Sequence, residues 1–420
     1  MATVTLDVSE IGARGDGIAW QAGERIYLPF AAPGDRVTAR LGERRGDGRV
    51  GEIVTLLHKG ARQEPSCPHF GRCGGCALQH VSPPAYAEAK LSWLLAALRH
   101  RGLPTDAVAP LATLPPGTRR RARLAMRRPR GAPSAEIGFH QRASHRIVDM
   151  AACAVLHPKL IALVAPLRGL AASVLAPGGA GAASLTLADS GVDLLLELDA
   201  APQLAALEAL AAFAETHDLA RLGWRAGREA APVALRRPVR ISFGGVPVDL
   251  PEECFLQASV EADLLLTDRV LAGSGAADAI ADLYAGIGTF SFALAARARV
   301  YAAEGDAASL AALRAAAARA GLQTRVTAEQ RDLEAHPLTA EELAGFDAVV
   351  FDPPRAGARA QSARLAASRV PTIVAVSCHP ASFSRDARTL VDGGYRLVSV
   401  EPIDSFIWSP HLELVARFTR

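Results

Sequence analysis

The chain has 420 residues, half of them hydrophobic, and its formal net charge is only +3. This length predicts two or three domains, and no uninterrupted apolar run reaches the roughly 18 residues that a membrane span requires. The residues from Met1 to Asp7 lack the basic and apolar regions of a secretory signal. We therefore expect a cytoplasmic protein with reduced thiols and no membrane partner.

The N-terminal segment, residues 1–58, contains short alternating strands separated by glycine turns. The strand patterns lie near residues 4–8, 25–29, 36–40 and 51–55. This spacing favours a small barrel of the OB type, a fold that often binds single-stranded nucleic acid.

The middle of the chain, residues 59–250, combines a cysteine-rich loop with strands and helices. Leucine spacing predicts a helix over residues 85–102, and an Ala/Leu pattern predicts another over 201–215. The glycine- and alanine-rich segment 176–183 favours a mobile loop. We therefore expect a central α+β domain.

Arginine is concentrated in one part of this middle segment. Between Arg119 and Arg146 there are nine arginines and a single acidic residue, Glu136. Such a stripe is typical of a surface that contacts nucleic-acid phosphates, although a solvated basic face is the alternative.

Four of the six cysteines form a group, namely Cys67, Cys73, Cys76 and Cys153. Four thiolates can hold tetrahedral zinc or an iron–sulfur cluster, and their spacing alone leaves both open. A disulfide is disfavoured in a reducing compartment. Cys254 lies in an apolar context and is expected to pack in a core.

From residue 251 onward the pattern strand, loop, helix repeats, which predicts a Rossmann-like, doubly wound parallel sheet. Three apolar strand patterns end in the segments 282–290, 351–357 and 377–380. Ligands bind outside the carboxyl ends of such strands. We therefore expect a glycine loop, an acidic Pro-Pro turn and Cys378 to meet at one edge.

The glycine loop indicates a cofactor site. Gly286 and Gly288 lie where backbone can approach a ligand closely. Ser291 replaces the third glycine of the dinucleotide fingerprint, which disfavours a full pyrophosphate site. Glu304, at the end of the next strand, could accept hydrogen bonds from ribose hydroxyls, and Asp332 could contact an adenine amine. This combination favours S-adenosylmethionine.

Together these motifs resemble the RNA 5-methyluridine methyltransferases over nearly the whole chain. The motifs that carry the resemblance are residues 67–80, 137–140, 147–149, 255–257, 282–290, 352–357, 377–378 and 411–413. It implies a multidomain α/β protein with an RNA-binding TRAM barrel over 1–58. A central domain with an iron–sulfur cluster would follow over 59–250, and a class I methyltransferase domain over 251–420.

The resemblance also implies covalent catalysis, in which a thiolate adds to uracil C6 and makes C5 nucleophilic. It implies Cys378 as nucleophile, Glu413 as base and a [4Fe-4S] cluster rather than zinc on the four grouped cysteines. The residues implied to line the cofactor and base pocket are Gln257, Tyr284, Gly286, Gly288, Thr289, Glu304, Asp332 and Asp352. Phe255 would either pack in the core or contact a flipped base.

The implied partner is RNA, with 23S ribosomal RNA favoured because the family's transfer-RNA branch typically lacks both TRAM domain and cluster. A monomer is expected. His379 departs from the Asn that the family usually has after the nucleophile, and Ser259 and Thr289 are milder departures. The alternatives are a transfer-RNA uridine methyltransferase, an amino-group methyltransferase and a noncatalytic RNA-binding or ribosome assembly factor.

Overall fold

The structure is a computed structural model and describes residues 3–420. Five strands come first: β1 (Thr3–Ile11), β2 (Gly17–Gln21), β3 (Glu24–Leu28), β4 (Arg36–Arg45) and β5 (Gly48–His58). They close into a barrel in the order β1-β2-β3-β5-β4, in agreement with the predicted OB-like fold. Leu6, Val8 and Ile26 are among the side chains that fill its interior, because alternate residues of a strand face the same side.

A mixed sheet forms the frame of the central part. The elements in this part are α1 (Pro83–His100), β6 (Ala112–Thr113), β7 (Arg121–Arg127), β8 (Glu136–Gly138), α2 (Pro158–Ile161), α3 (Val164–Val174), β9 (Ala180–Ala188), β10 (Gly191–Leu198), α4 (Leu204–Thr216), β11 (Arg221–Ala226), β12 (Glu229–Leu235), β13 (Arg240–Phe243) and β14 (Val246–Asp249). The sheet has the order β12-β11-β10-β9-β7-β8. α3 and α4 pack on it through leucines that include Leu167, Leu194 and Leu210.

The C-terminal part is built on a larger sheet. Its elements are α5 (Val260–Ser274), β15 (Ala279–Leu283), α6 (Ser291–Ala295), β16 (Arg299–Glu304), α7 (Ala307–Arg319), β17 (Val326–Gln330), α8 (Ala340–Leu343), β18 (Ala348–Phe351), α9 (Arg359–Ala367), β19 (Thr372–Ser377), α10 (Pro380–Asp392), β20 (Arg396–Asp404) and β21 (Glu413–Thr419). Eight strands pair in the order β17-β16-β15-β18-β19-β21-β20-β6. The strands β15 to β19 are parallel, whereas β21 is antiparallel to both its neighbours.

This sheet is buried on both faces, as parallel sheets usually are. Ile280 and Val350 belong to one core, which α5 and α7 cover. Their strand neighbours Ala281 and Val349 belong to the opposite core, which α9 and α10 cover. Both faces of the sheet are therefore covered, and the predicted Rossmann-like architecture is confirmed.

The segment 83–113 joins the C-terminal sheet rather than the central one. β6 pairs in parallel with β20, and Leu94 and Leu98 of α1 are fully buried in the core that also contains Phe383 of α10. The β13–β14 hairpin likewise packs on the C-terminal part. The boundaries 1–58, 59–250 and 251–420 stay predictions.

One local prediction is wrong. The small-residue segment 176–183 was expected to be a loop, but β9 begins at Ala180. A Cβ atom on Gly181 would lie 2.4 Å from the carbonyl oxygen of Glu197 on β10, so the small side chain permits close strand pairing. Within residues 3–420, no helix is long and apolar enough to cross a membrane.

Candidate active site

Cys378 and Glu413 lie side by side at the carboxyl edge of the large sheet. Cys378 directly follows β19, and Glu413 is the first residue of β21. Ser377 pairs with Leu414 across these two antiparallel strands, and the Cα atoms of paired residues are about 5 Å apart. Cys378 follows Ser377 and Glu413 precedes Leu414, so the antiparallel pairing brings the thiol and the carboxyl group together.

The Glu413 carboxyl group is almost fully buried, with 3% of the residue exposed. Burial raises its pKa to about 7, and the negative charge of Asp263 adds to this rise, while Ser405 and Arg119 oppose it. Its Oε2 atom is buried and has no well-formed hydrogen bond within the described chain. A carboxyl group with this pKa can exchange a proton near neutral pH, which a general base must do.

The Cys378 thiol is half-buried. Burial raises its pKa, the negative charges of Asp352 and Glu413 raise it further, and Arg355 opposes them. The thiol also precedes α10, whose N-terminal dipole favours a thiolate. Ligand-derived positive charge would therefore promote ionisation of this cysteine.

His379 caps α10. Its Nδ1 accepts a hydrogen bond from the backbone N–H of Ser382 at 3.3 Å, and burial together with Arg355 lowers its pKa. Asn is a preferred residue at this capping position. His379 thus caps the helix as an asparagine at this position would.

Asp352 and Gln257 form a hydrogen-bonded pair beside the thiol. Gln257 Nε2 donates to Asp352 Oδ2 at 3.0 Å. Burial raises the pKa of Asp352 to about 8, and Glu413 and Asp282 add to this rise. Arg120 fixes the backbone of Gln257, because its guanidinium donates a hydrogen bond to the Gln257 carbonyl oxygen at 3.2 Å. A carboxyl group with this pKa binds a proton near neutral pH, and in that form it can donate a hydrogen bond.

The glycine loop follows β15 and has the backbone expected of a ligand cradle. Gly286 and Gly288 have φ values of 57° and 96°, and Tyr284 is also left-handed at 61°. A Cβ on Gly288 would lie 2.5 Å from the Phe292 ring. Thr289 is half-buried in the same loop. The loop therefore requires glycine where it turns onto the following helix.

Glu304 and Asp332 lie at the same edge of the sheet. Glu304 Oε2 accepts from the N–H of Gly286 at 2.8 Å, so the acid is tied to the glycine loop. Asp332 Oδ1 accepts from the N–H of Glu334 at 3.0 Å. The buried hydroxyl of Tyr284 has no partner in the described chain. Each carboxylate keeps free lone pairs, so these residues fit an adenosine group with hydroxyl and amine donors.

All four grouped cysteines line one cavity of about 620 Å³, and Cys378 lines it too. None of the four forms a disulfide. Burial raises the pKa values of Cys73 and Cys153, and it raises the pKa of Cys76 to about 12. The neighbouring grouped thiols raise all three pKa values further. Among residues 3–420, no three His, Cys, Asp or Glu side chains converge as ligands of a single metal ion would.

Four further residues line the cavity beside the cysteine group and Cys378, namely Arg119, Arg355, Phe406 and His411. Arg119 belongs to the predicted basic stripe, whereas the other three were not predicted as site residues. The Arg119 guanidinium lies 5.8 Å from the centre of the Phe406 ring, and the Phe406 and His411 rings meet edge to face at 5.8 Å. Arg355 and His411 belong to quoted motifs and could have been found, whereas Phe406 carries no signal. The cavity wall thus combines cations with aromatic rings.

The basic stripe is only partly available for phosphates. Arg120 is 2% exposed and is paired with Asp263, so the prediction of phosphate contact is wrong for this residue. Arg123 forms a two-point ion pair with Glu197.

Phe255 is 69% exposed, which excludes its core-packing alternative. Cys254 packs partly buried against the large core, as predicted.

The sequence was compared with known families and proteins. Residues 246–419 match the family described as tRNA (Uracil-5-)-methyltransferase. An RNA methyltransferase of Brucella suis biovar 1 is 41% identical, over 100% of this chain and 98% of that protein. The 23S rRNA (uracil(1939)-C(5))-methyltransferase RlmD of Chromohalobacter salexigens is 34% identical, over 99% of this chain and 89% of that protein.

The fold was also compared with solved structures. The crystal structure of Pyrococcus abyssi tRNA (uracil-54, C5)-methyltransferase in complex with S-adenosyl-L-homocysteine superposes with a TM-score of 0.74. At 22% identity it covers 99% of this chain and 100% of that chain, so the whole architecture is shared. With its full-length relatives, this chain belongs to the family of S-adenosylmethionine-dependent RNA (uracil-C5-)methyltransferases.

Proposed function

We propose that the enzyme methylates C5 of a uridine in 23S ribosomal RNA through a covalent adduct with Cys378. The observation that carries this proposal is the adjacency of Cys378 and Glu413 at the edge that also bears the glycine loop. The relative RlmD, which its name describes as acting on uracil in 23S rRNA, supports the ribosomal substrate.

In the proposed reaction the Cys378 thiolate forms a bond to uracil C6, and the electron pair of the C5–C6 double bond moves towards C5 and O4. Bound S-adenosylmethionine supplies an electrophilic methyl group to C5 and leaves as neutral S-adenosylhomocysteine. Glu413 then takes the C5 proton, the C5–C6 double bond reforms, and the bond from C6 to sulfur breaks to return the thiolate. Two moderate steps replace one difficult step.

Asp352 has a role in the first of these steps. With its pKa raised to about 8, chiefly by burial, it carries a proton at neutral pH. It can therefore donate a hydrogen bond to a uracil carbonyl oxygen as negative charge develops there. Gln257 positions it through their 3.0 Å hydrogen bond.

The cofactor is assigned to the residues around the glycine loop. Gly286, Gly288 and Thr289 would contact the amino-acid part of S-adenosylmethionine, Glu304 its ribose and Asp332 its adenine. The unpaired Tyr284 hydroxyl and the open space above Gly286, where an added Cβ would meet no atom within 4 Å, support this assignment.

Cys67, Cys73, Cys76 and Cys153 are proposed to hold a [4Fe-4S] cluster. The cavity that all four cysteines line supports this choice. The Gly75 N–H, 3.4 Å from Cys73 Sγ, resembles the hydrogen bonds that tune cluster sulfurs. The cluster would be structural, because methyl transfer requires no electron transfer.

The barrel is proposed to bind the RNA strand as a TRAM domain. Trp20 is 52% exposed, and the Arg25 guanidinium lies 5.1 Å from its ring centre. An exposed aromatic ring beside a cation is what base stacking on a single strand requires. An assembly factor without catalysis would need such a surface but not the adjacent pair of Cys378 and Glu413.

A trapping experiment tests the proposed function. The enzyme is incubated with S-adenosylmethionine and 5-fluorouridine-substituted ribosomal or transfer RNA, and adducts that resist denaturation are mapped by mass spectrometry. Fluorine at C5 cannot be removed as a proton, so the covalent complex should persist on Cys378 with ribosomal RNA. Cys378→Ala should form none. An adduct with transfer RNA alone would refute the ribosomal substrate, and the absence of any adduct would refute the mechanism and favour an amino-group methyltransferase or an assembly factor.

A further inference from the structure

The loop between β20 and β21 leads directly into the proposed base. It comprises residues 405–412, and it begins after Asp404 and ends before Glu413. Phe406 and His411 of this loop line the cavity next to Cys378. The orientation of Glu413 therefore depends on how this loop is held.

Lys90 of α1 is fully buried and holds both ends of the loop. Its ammonium group is paired with the Asp404 carboxylate and donates to the carbonyl oxygens of Phe406 at 3.2 Å and His411 at 2.7 Å. The Tyr86 hydroxyl donates to the other Asp404 oxygen at 2.5 Å. A buried ion pair is weak support for stability, since apolar residues of similar volume often serve as well. A role in fixing one loop geometry explains it better.

Trp408, in the middle of the loop, is held in a strained conformation. Its φ of 58° is rare for a bulky residue. The Trp408 N–H donates to the Tyr86 hydroxyl at 2.8 Å, and its carbonyl oxygen accepts from Ala77 and Leu78 at 2.9 and 3.1 Å. Such strain persists only where surrounding contacts determine the conformation. The loop is thus fastened both to α1 and to the segment that follows Cys76.

We propose that Lys90, Tyr86 and Asp404 are positioning residues that orient Glu413 for proton removal, with Trp408 linking this support to the cysteine segment. The inference rests on the proposed function and concerns one step of it. Adduct formation by Cys378 depends on β19 and α10, which Lys90 and Tyr86 do not contact through any hydrogen bond. Loosening the support should therefore slow proton removal more than adduct formation.

The test uses Tyr86→Phe, which removes one hydroxyl and two hydrogen bonds but keeps the ring. In single-turnover reactions with natural uridine RNA, rapid quenching separates the methylated covalent adduct from released 5-methyluridine RNA. We expect release to slow about tenfold, the effect of one hydrogen bond to a charged group, so that adduct accumulates. The rate of adduct formation and the affinity for S-adenosylmethionine should stay within about twofold of wild type.

Tyr395→Phe is the matched control. Tyr395 is also buried. Its hydroxyl makes two hydrogen bonds, to Val370 O at 2.9 Å and with Ser368 Oγ at 3.0 Å, and neither involves the loop 405–412. Asp404→Asn keeps the side-chain shape but removes the anion beside Lys90. It should slow product release about 100-fold, again with little change in the rate of adduct formation.

Unchanged release by Tyr86→Phe, or an equal fall in adduct formation and release, would overturn the inference. Accumulation in Tyr395→Phe would overturn it as well. A wild-type enzyme that forms no adduct on 5-fluorouridine RNA would instead refute the proposed function, so the two failures are distinguishable.

Discussion

Replacing Glu413 by Gln should make the protein more stable, and increasingly so as pH rises. The folded-state pKa of this carboxyl group is raised from 4.5 to about 7, chiefly by burial. The folded state therefore holds the proton more tightly than the unfolded state does. The stability that this proton contributes is complete below about pH 4.5 and is lost as pH rises through about 7.

The size of the effect follows from the pKa difference. At about 1.4 kcal/mol for each pKa unit, the wild type loses roughly 3 kcal/mol of stability, most of it between about pH 4.5 and about pH 7. Glutamine has nearly the same shape as glutamate and cannot ionise. The Glu413→Gln variant should therefore keep this stability as pH rises. The variant also removes a charge that raises the pKa of Asp352, which adds to the gain.

Calorimetric unfolding of both proteins across this pH range, without cofactor, measures the difference. The gap in free energy of unfolding should widen by roughly 2–3 kcal/mol towards alkaline pH. Glu208→Gln, on the exposed side of α4, is the control and should show no such trend. A gap that stays constant or narrows as pH rises would refute the assignment of a buried, proton-binding carboxyl group to position 413.

Substitutions at three further positions test other parts of the molecule. His379→Ala should lower the free energy of unfolding by about 1 kcal/mol, because α10 loses its cap, whereas His379→Asn should stay within a few tenths; urea titrations compare them. Gly288→Ala forces a Cβ to 2.5 Å from the Phe292 ring at a φ of 96°, so calorimetry should show weaker S-adenosylmethionine binding and a stability loss of about 1–3 kcal/mol. Cys73→Ser should lower the iron content, the folding yield and the RNA affinity, and it should lower the cofactor affinity less. A soluble variant with normal RNA affinity would contradict the structural role of the cluster.

The parts of the site that were predictable from sequence are those in which strand and loop are contiguous. Cys378 follows a continuous apolar run, and such a run is typical of a parallel strand buried on both faces. The sheet then brings its carboxyl end beside the glycine loop without further information. The predicted helices over 85–102 and 201–215 were also found, with ends shifted by up to three residues.

What could not be predicted depends on pairs of residues far apart in the chain. Lys90 would be expected to face solvent in an amphipathic helix, and it is buried because Asp404 lies beside it. Arg120 belongs to a basic stripe in sequence but is neutralised by Asp263 on α5. Charge pairing of this kind is decided by tertiary structure, and composition within one segment carries no information on it.

The placement of α1 in the C-terminal core has a consequence for synthesis on the ribosome. Leu94 and Leu98 are fully buried against strands and helices that lie between residues 281 and 418. At typical translation rates of about 5–20 residues per second, the last packing partners of α1 are synthesised on the order of 15–60 s after the helix itself. The nascent chain thus exposes a hydrophobic helix through most of its synthesis, and the methyltransferase sheet can close only when the last strands are made. The need for chaperones should therefore be greatest late in translation. Shortening the chain near its C-terminus should leave the apolar face of α1, which is made near the start of synthesis, without its packing partners.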